Sequence, residues 1–137
     1  MLTVYLTDPH HASREYLGRV ATYIHSHSTL TDWTLALLNE CWLLEIADGA
    51  YWAAIMWANR TAVEGELELH AVAAPEYRGR WITRGVAKQV DQVIDHTGAT
   101  RLIAQVPTPL IARYWKRFGF TIVDQLAYKD IDRGRCE

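Results

Sequence analysis

The chain reads as a mixed α/β domain on three observations. Apolar residues alternate with period two in some short runs, recur at helical spacing in others, and the two kinds of segment interleave along 137 residues. That length suits one domain over residues 1–137, because about 100–150 residues can bury a real core. Half the residues are hydrophobic and 22% are charged, a balance that excludes a disordered chain. The formal charge of −2 gives no overall pull toward nucleic acid or an acidic membrane surface.

Leu2 to Thr7 alternates as a first strand, and Asp8-Pro9 breaks it. Tyr16, Leu17, Val20, Ala21 and Ile24 then recur at helical spacing. A short second helix is expected over Asp32 to Asn39, with Asp32 as its cap and Leu35, Leu38 and Trp42 on one side. Cys41 to Ala47 and Ala50 to Ala58 are apolar runs joined by Asp48-Gly49, the pair best suited to the positive φ angles of a tight hairpin. A polar loop, Asn59 to Gly65, leads to a third strand of this meander, Glu66 to Ala73. Glu66, Glu68, His70 and Val72 share one face of it, and Leu67, Leu69 and Ala71 the other.

Ile82, Val86, Val90, Val93 and Ile94 mark a helix that Gly98 ends, and Arg101 to Val106 is a short strand. Pro109 suits the first turn of a last helix, whose apolar side is Ile111, Tyr114, Trp115 and Phe118 and which Gly119 stops. Thr121 to Val123 and Leu126 to Ile131 close the chain as strands. Trp33, Trp42, Trp52 and Trp57 lie inside periodic segments and are assigned to core; apolar area left exposed around Trp33 or Trp42 would favour a homodimer.

The N-terminus lacks the basic and long apolar regions of a signal peptide, and no run reaches the ~20 apolar residues of a membrane span. A soluble, cytoplasmic protein is expected, with Cys41 and Cys136 as reduced thiols. His10-His11 and His25-Ser26-His27 lack a Cys or carboxylate partner at ligand spacing, so no metal is expected. Arg113, Lys116 and Arg117 beside Tyr114 and Trp115 make one helical turn of charge, which reads as a solvated face rather than a nucleic-acid patch.

The most informative stretch runs from Glu66 to Gly85, a strand entering a Gly/Arg turn that opens a helix. Such a turn aims backbone N–H groups and the positive end of a helix at one place, which suits a phosphate or pyrophosphate. Together with Tyr114-Trp115-Lys116-Arg117-Phe118-Gly119-Phe120, this stretch resembles the GNAT superfamily of acyl-CoA-dependent N-acyltransferases. The likeness is best over Glu66 to Phe120 and rests on element order elsewhere. It implies a GNAT-like domain with a central, mostly antiparallel sheet and helices on both faces.

In that family a six-residue loop with Arg or Gln first, and Gly fourth and sixth, binds the pyrophosphate of coenzyme A through its amides. Ala74-Pro75-Glu76-Tyr77-Arg78-Gly79-Arg80 matches its start, while Trp81 and Thr83 replace the two glycines. The resemblance implies coenzyme binding by Arg78, Gly79, Arg80, Trp81, Ile82 and Thr83. Arg80 and, further on, Arg84 fit either added charge for the phosphates or the basic face of a helix. The resemblance also implies that amides near Val72 and Ala73 hold the pantetheine and polarise the thioester carbonyl where the strands splay, a place where Ala73-Ala74-Pro75 fits a bulge.

The family's acid, a Tyr four residues before the Gly, is Trp115 here, and Tyr114 stands one residue earlier, about 100° round the helix. Tyr114 is the candidate acid, and Thr108 takes the place of a frequent family Asn. For removal of the amine proton the candidates are Glu68 and His70, whose spacing also fits the solvent face of an amphipathic strand. The implied reaction is direct transfer of acetyl from acetyl-CoA to a primary amine on a small molecule or protein. Alternatives are a catalytically degenerate GNAT-like interaction or virion-associated protein of phage type, and a coenzyme A sensor.

Overall fold

A computed structural model describes residues 1–131. Seven strands form one sheet: β1 (Leu2–Thr7), β2 (Trp42–Asp48), β3 (Tyr51–Arg60), β4 (Glu66–Ala73), β5 (Arg101–Gln105), β6 (Thr121–Val123) and β7 (Leu126–Asp130). Their order is β1-β2-β3-β4-β5-β7-β6. Every pair is antiparallel except β4 and β5, as expected where a helix supplies the crossover that a parallel pair needs. The helices are α1 (Arg14–His27), α2 (Leu35–Asn39), α3 (Arg84–Thr97) and α4 (Pro109–Arg117).

Two apolar layers form because strand side chains alternate between faces. Leu44, Ile46, Met56, Leu67 and Leu69 pack with Val86, Val90 and Ile94 of α3 and Trp115 of α4. Leu43, Ile55, Trp57 and Val72 pack on the opposite face with Leu17, Val20 and Ile24 of α1 and Leu38 of α2. Thus helices cover both faces of a mostly antiparallel sheet.

Gly49 at the β2–β3 turn has φ +61° and Gly98 behind α3 has φ +78°, the conformations that selected glycine there. Three local expectations differ. Helix α2 begins at Leu35 with Thr34, not Asp32, as its cap, because the Thr34 hydroxyl stands three residues before the Leu37 N–H that it accepts. Trp42 lies in β2 and joins the layer opposite Leu38.

The expected bulge at Ala73-Ala74-Pro75 is absent. β4 keeps regular register with β3 through Ala73, and Pro75–Tyr77 forms a 3₁₀ turn. The extra residue is one strand away: Ile46 pairs with Ala54 and Ala47 with Trp52, so Ala53 is unpaired in that ladder. Its carbonyl accepts from Ala74 N–H, so the irregularity still lies beside the end of β4. Ile24, fully buried, ties α1 to that face. Ile24→Ala is expected to lower stability by about 2–5 kcal/mol, read as a lower urea midpoint at unchanged slope.

Candidate functional site

β4 and β5 pair over only three residues, Glu66 to Glu68 against Arg101 to Ile103. Beyond Glu68, β4 stays with β3 while β5 follows β7 alone, and the two strands part. The Ala74–Ala53 hydrogen bond sets the parity of the β3–β4 ladder. Residues 70, 72 and 74 turn their N–H toward β3, whereas Ala71 and Ala73 turn theirs toward the parted side. Val72's amide therefore belongs to the ladder. What Val72 brings to the opening is its side chain.

A slot of about 300 Å³ lies at this parting. Ala71, Val72 and Ala73 line one wall; Ile111, Tyr114 and Trp115 of α4 line the other. Arg78, Gly79, Trp81 and Ile82 form its roof, with His27 and Ser28 from the end of α1 beside them. The lining is mostly apolar, suited to a thin flexible chain with few polar groups.

Tyrosine and arginine contacts hold the roof. Tyr77 donates to Asp48 at 2.6 Å, anchoring the 3₁₀ turn on the β2–β3 hairpin. Ala74 N–H donates to the Tyr23 hydroxyl at 2.9 Å, and that hydroxyl donates to Trp52 O. Burial pushes the Tyr23 pKa up to about 12, so it stays a donor. Arg117 donates to the Gly79 carbonyl at 3.2 Å. Gly79 itself sits at φ +76°, and a Cβ there would lie 3.4 Å from the Tyr114 hydroxyl.

The two unusual loop residues differ: Trp81 turns inward, whereas Thr83 stays exposed. Trp81 is 5% exposed, its ring 5.7 Å from that of Phe118 within the core. Thr83 caps α3, its hydroxyl accepting from Val86 N–H at 3.1 Å. Arg80 and Thr83 spend their own N–H groups on Tyr77 and Trp81 carbonyls. The N–H groups of Gly79, Trp81 and Ile82 have no acceptor among the described residues. Arg78 donates to the carbonyl of His27 at 3.1 Å, tying the loop to α1. Arg80 and Arg84 are exposed.

Of the other sequence candidates, Tyr114 and Trp115 reach the slot and Thr108 does not. Thr108 caps α4, accepting from Ile111 N–H. Glu68 and His70 lie on the α1/α2 face of β4, and the slot lining on that strand starts at Ala71. Gln105 of β5 donates to Glu68 at 3.3 Å, just past the last β4–β5 pair. His70 stacks on Trp57 at 5.3 Å, meets Trp33 edge-on at 4.8 Å, and approaches Glu68 at 3.7 Å. Sequence patterns do not single out Asn59, Gln105 or Tyr23, and they assign Trp33 to core alone. Asn59 continues the Trp57 face at spacing two, and β3 runs through it to Arg60 where the polar composition predicts a loop.

Among the described residues, no three His, Cys, Asp or Glu side chains are grouped to hold a metal, and no helix is long and apolar enough to cross a membrane. Cys41 is buried, and Cys136 lies outside the described residues.

Burial lowers the pKa of His70 below the usual 6.5, with Glu68 opposing. The unfolded chain then binds the proton more readily, so this contribution to stability is complete above about 6.5 and is lost as pH falls through the lower folded value. Urea midpoints measured from about pH 7.5 to about pH 5 should decline in wild type more steeply than in His70→Gln.

No family model matches the sequence, and no curated protein matches it. Solved structures do. A Bacillus subtilis acetyltransferase in complex with CoA has TM-score 0.70 at 10% identity, covering 96% of this chain and 99% of that one. A mutant of the spermidine N-acetyltransferase SpeG from Vibrio cholerae has TM-score 0.69 at 12% identity, with 94% and 93% covered. PaiA N-acetyltransferase from Thermoplasma acidophilum, in complex with coenzyme A, has TM-score 0.67 at 11% identity, with 94% and 99% covered. The chain thus has the fold of the GNAT N-acetyltransferases.

Proposed function

We propose that this protein is an N-acetyltransferase that moves an acetyl group from acetyl-CoA to a primary amine by direct transfer in a ternary complex. One observation carries the reading: β4 parts from β5 and turns the N–H groups of Ala71 and Ala73 toward an apolar slot under a loop with free amides. A thioester carbonyl seated at the parting meets fixed N–H dipoles, which favour the charge that develops on its oxygen. The slot suits the pantetheine arm. The amides of Gly79, Trp81 and Ile82 and the first turn of α3 suit the diphosphate, with Arg80 and Arg84 adding positive charge.

The inward turn of Trp81 matters because phosphate binding uses its backbone rather than its ring. Arg78, held by His27, contributes by fixing the loop. Acyl transfer also needs a neutral amine and a proton for the leaving thiolate. Half-buried His70, neutral near pH 7, takes the amine proton beside Glu68. Tyr114, lining the slot against Gly79, supplies the thiolate's proton. A second reading, a coenzyme A sensor, is favoured by Trp115 standing where the family's acid stands, since an indole N–H is no useful acid.

Calorimetry with acetyl-CoA, followed by thiol release across a panel of amines, separates these readings. Binding with amine-dependent thiol release is expected. Binding without release leaves the sensor, and no binding at millimolar acetyl-CoA removes both. Tyr114→Phe should lower kcat on the order of a hundredfold with little change in acetyl-CoA affinity. An unchanged kcat removes Tyr114 as the acid.

A further inference from the structure

Asn59, near the end of β3, is oriented from both ends of its amide. Its Nδ2 donates to the Arg60 carbonyl at 3.1 Å, which turns Oδ1 toward His70 Nε2 at 2.7 Å. An amide oxygen only accepts, so Nε2 must carry the proton. In a neutral imidazole the free lone pair then belongs to Nδ1. Both polar contacts of the ring, to Asn59 and to Glu68 Oε1 at 3.7 Å, are made at Nε2. Nδ1 has no partner among the described residues. Trp57 and Trp33 hold the ring in place, stacked at 20° and tilted at 60° respectively.

We propose that Asn59 is a positioning residue that fixes His70 as its Nε2–H tautomer, so that Nδ1 is the atom that receives the proton of the acceptor amine. The proposal rests on the transferase reading above. In this step an N–H bond of the ammonium breaks and its electron pair stays on the amine nitrogen. A bond from Nδ1 to that proton forms, and the positive charge passes to the ring. The Asn59 oxygen, the Glu68 carboxylate and the face of Trp57 all favour a cation there. Reversing the tautomer would instead place the lone pair against an oxygen and leave Nδ1 protonated, unable to accept.

Long-range proton–nitrogen NMR correlation of the whole chain, with His70→Gln to identify the resonances, reads the tautomer directly. In wild type at a pH where the ring is neutral, His70 is expected to show a protonated Nε2 and an unprotonated Nδ1. Asn59→Leu should shift both nitrogens toward averaging and lower kcat/KM for the amine by about tenfold at unchanged acetyl-CoA affinity. Asn59→Asp, which keeps an accepting oxygen, should restore the tautomer.

A protonated Nδ1 in wild type overturns the proposal. So does a tautomer unmoved by Asn59→Leu, or turnover that survives a moved tautomer. Absence of wild-type turnover with the tautomer in place removes the transferase reading and, with it, the base role.

Discussion

The separation of β4 from β5 after three paired residues is the constraint on which the rest depends. A strand interior normally spends its N–H groups on both neighbours. Here β3 holds one set while the other set, at Ala71 and Ala73, is turned to an opening. The parting also makes room for α4, because the slot lies between the freed edge of β4 and the Ile111–Trp115 side of that helix. Lys129 of β7 steadies α4 from below, donating to the Phe118 carbonyl at 2.9 Å and to Asp91 of α3 at 2.8 Å. Cations near a helix's C-terminal end complement its unpaired carbonyls.

The loop after β4 shows how a binding geometry can tolerate bulky residues. Glycine is useful beside a phosphate because backbone can approach closely. Trp81 keeps its N–H available by burying its ring against Phe118, which converts a steric problem into core packing. Thr83 draws its hydroxyl back onto Val86 and takes one donor of the first turn of α3 for the fold's own use. The loop is then held from several sides, through Tyr77 to the hairpin, Arg78 to α1 and Gly79 to Arg117. Such tethering reduces the ordering that a bound anion would have to impose.

On the other face, the polar residues of β4 are neither plain solvent face nor slot lining. Glu68 and His70 are about one-fifth exposed and share hydrogen bonds or close contacts with Asn59 and Gln105. Two tryptophans enclose the His70 ring. Burial acts on its charged form more strongly than the nearby carboxylate does, so the net effect is a lowered pKa rather than a raised one. In the proposed transfer this keeps the group neutral where an amine must be deprotonated.

By itself the sequence determined the order and kind of the elements, because side-chain periodicity, the Asp48-Gly49 turn, and the Gly98 and Gly119 stops act between neighbours along the chain. The motif around Tyr77-Arg78-Gly79 and the Phe118-Gly119-Phe120 end also marked the loop and helix that bound the slot. Boundaries slipped where capping was close-run, as at Asp32 against Thr34. Which amides of β4 are free follows from register with β3 and is settled in three dimensions alone. Tertiary packing likewise directed the Trp81 ring to the core and Arg78 to α1, and placed Asn59 against His70. Each of these depends on partners brought together across strands or helices distant in the chain, a relation that no local pattern encodes.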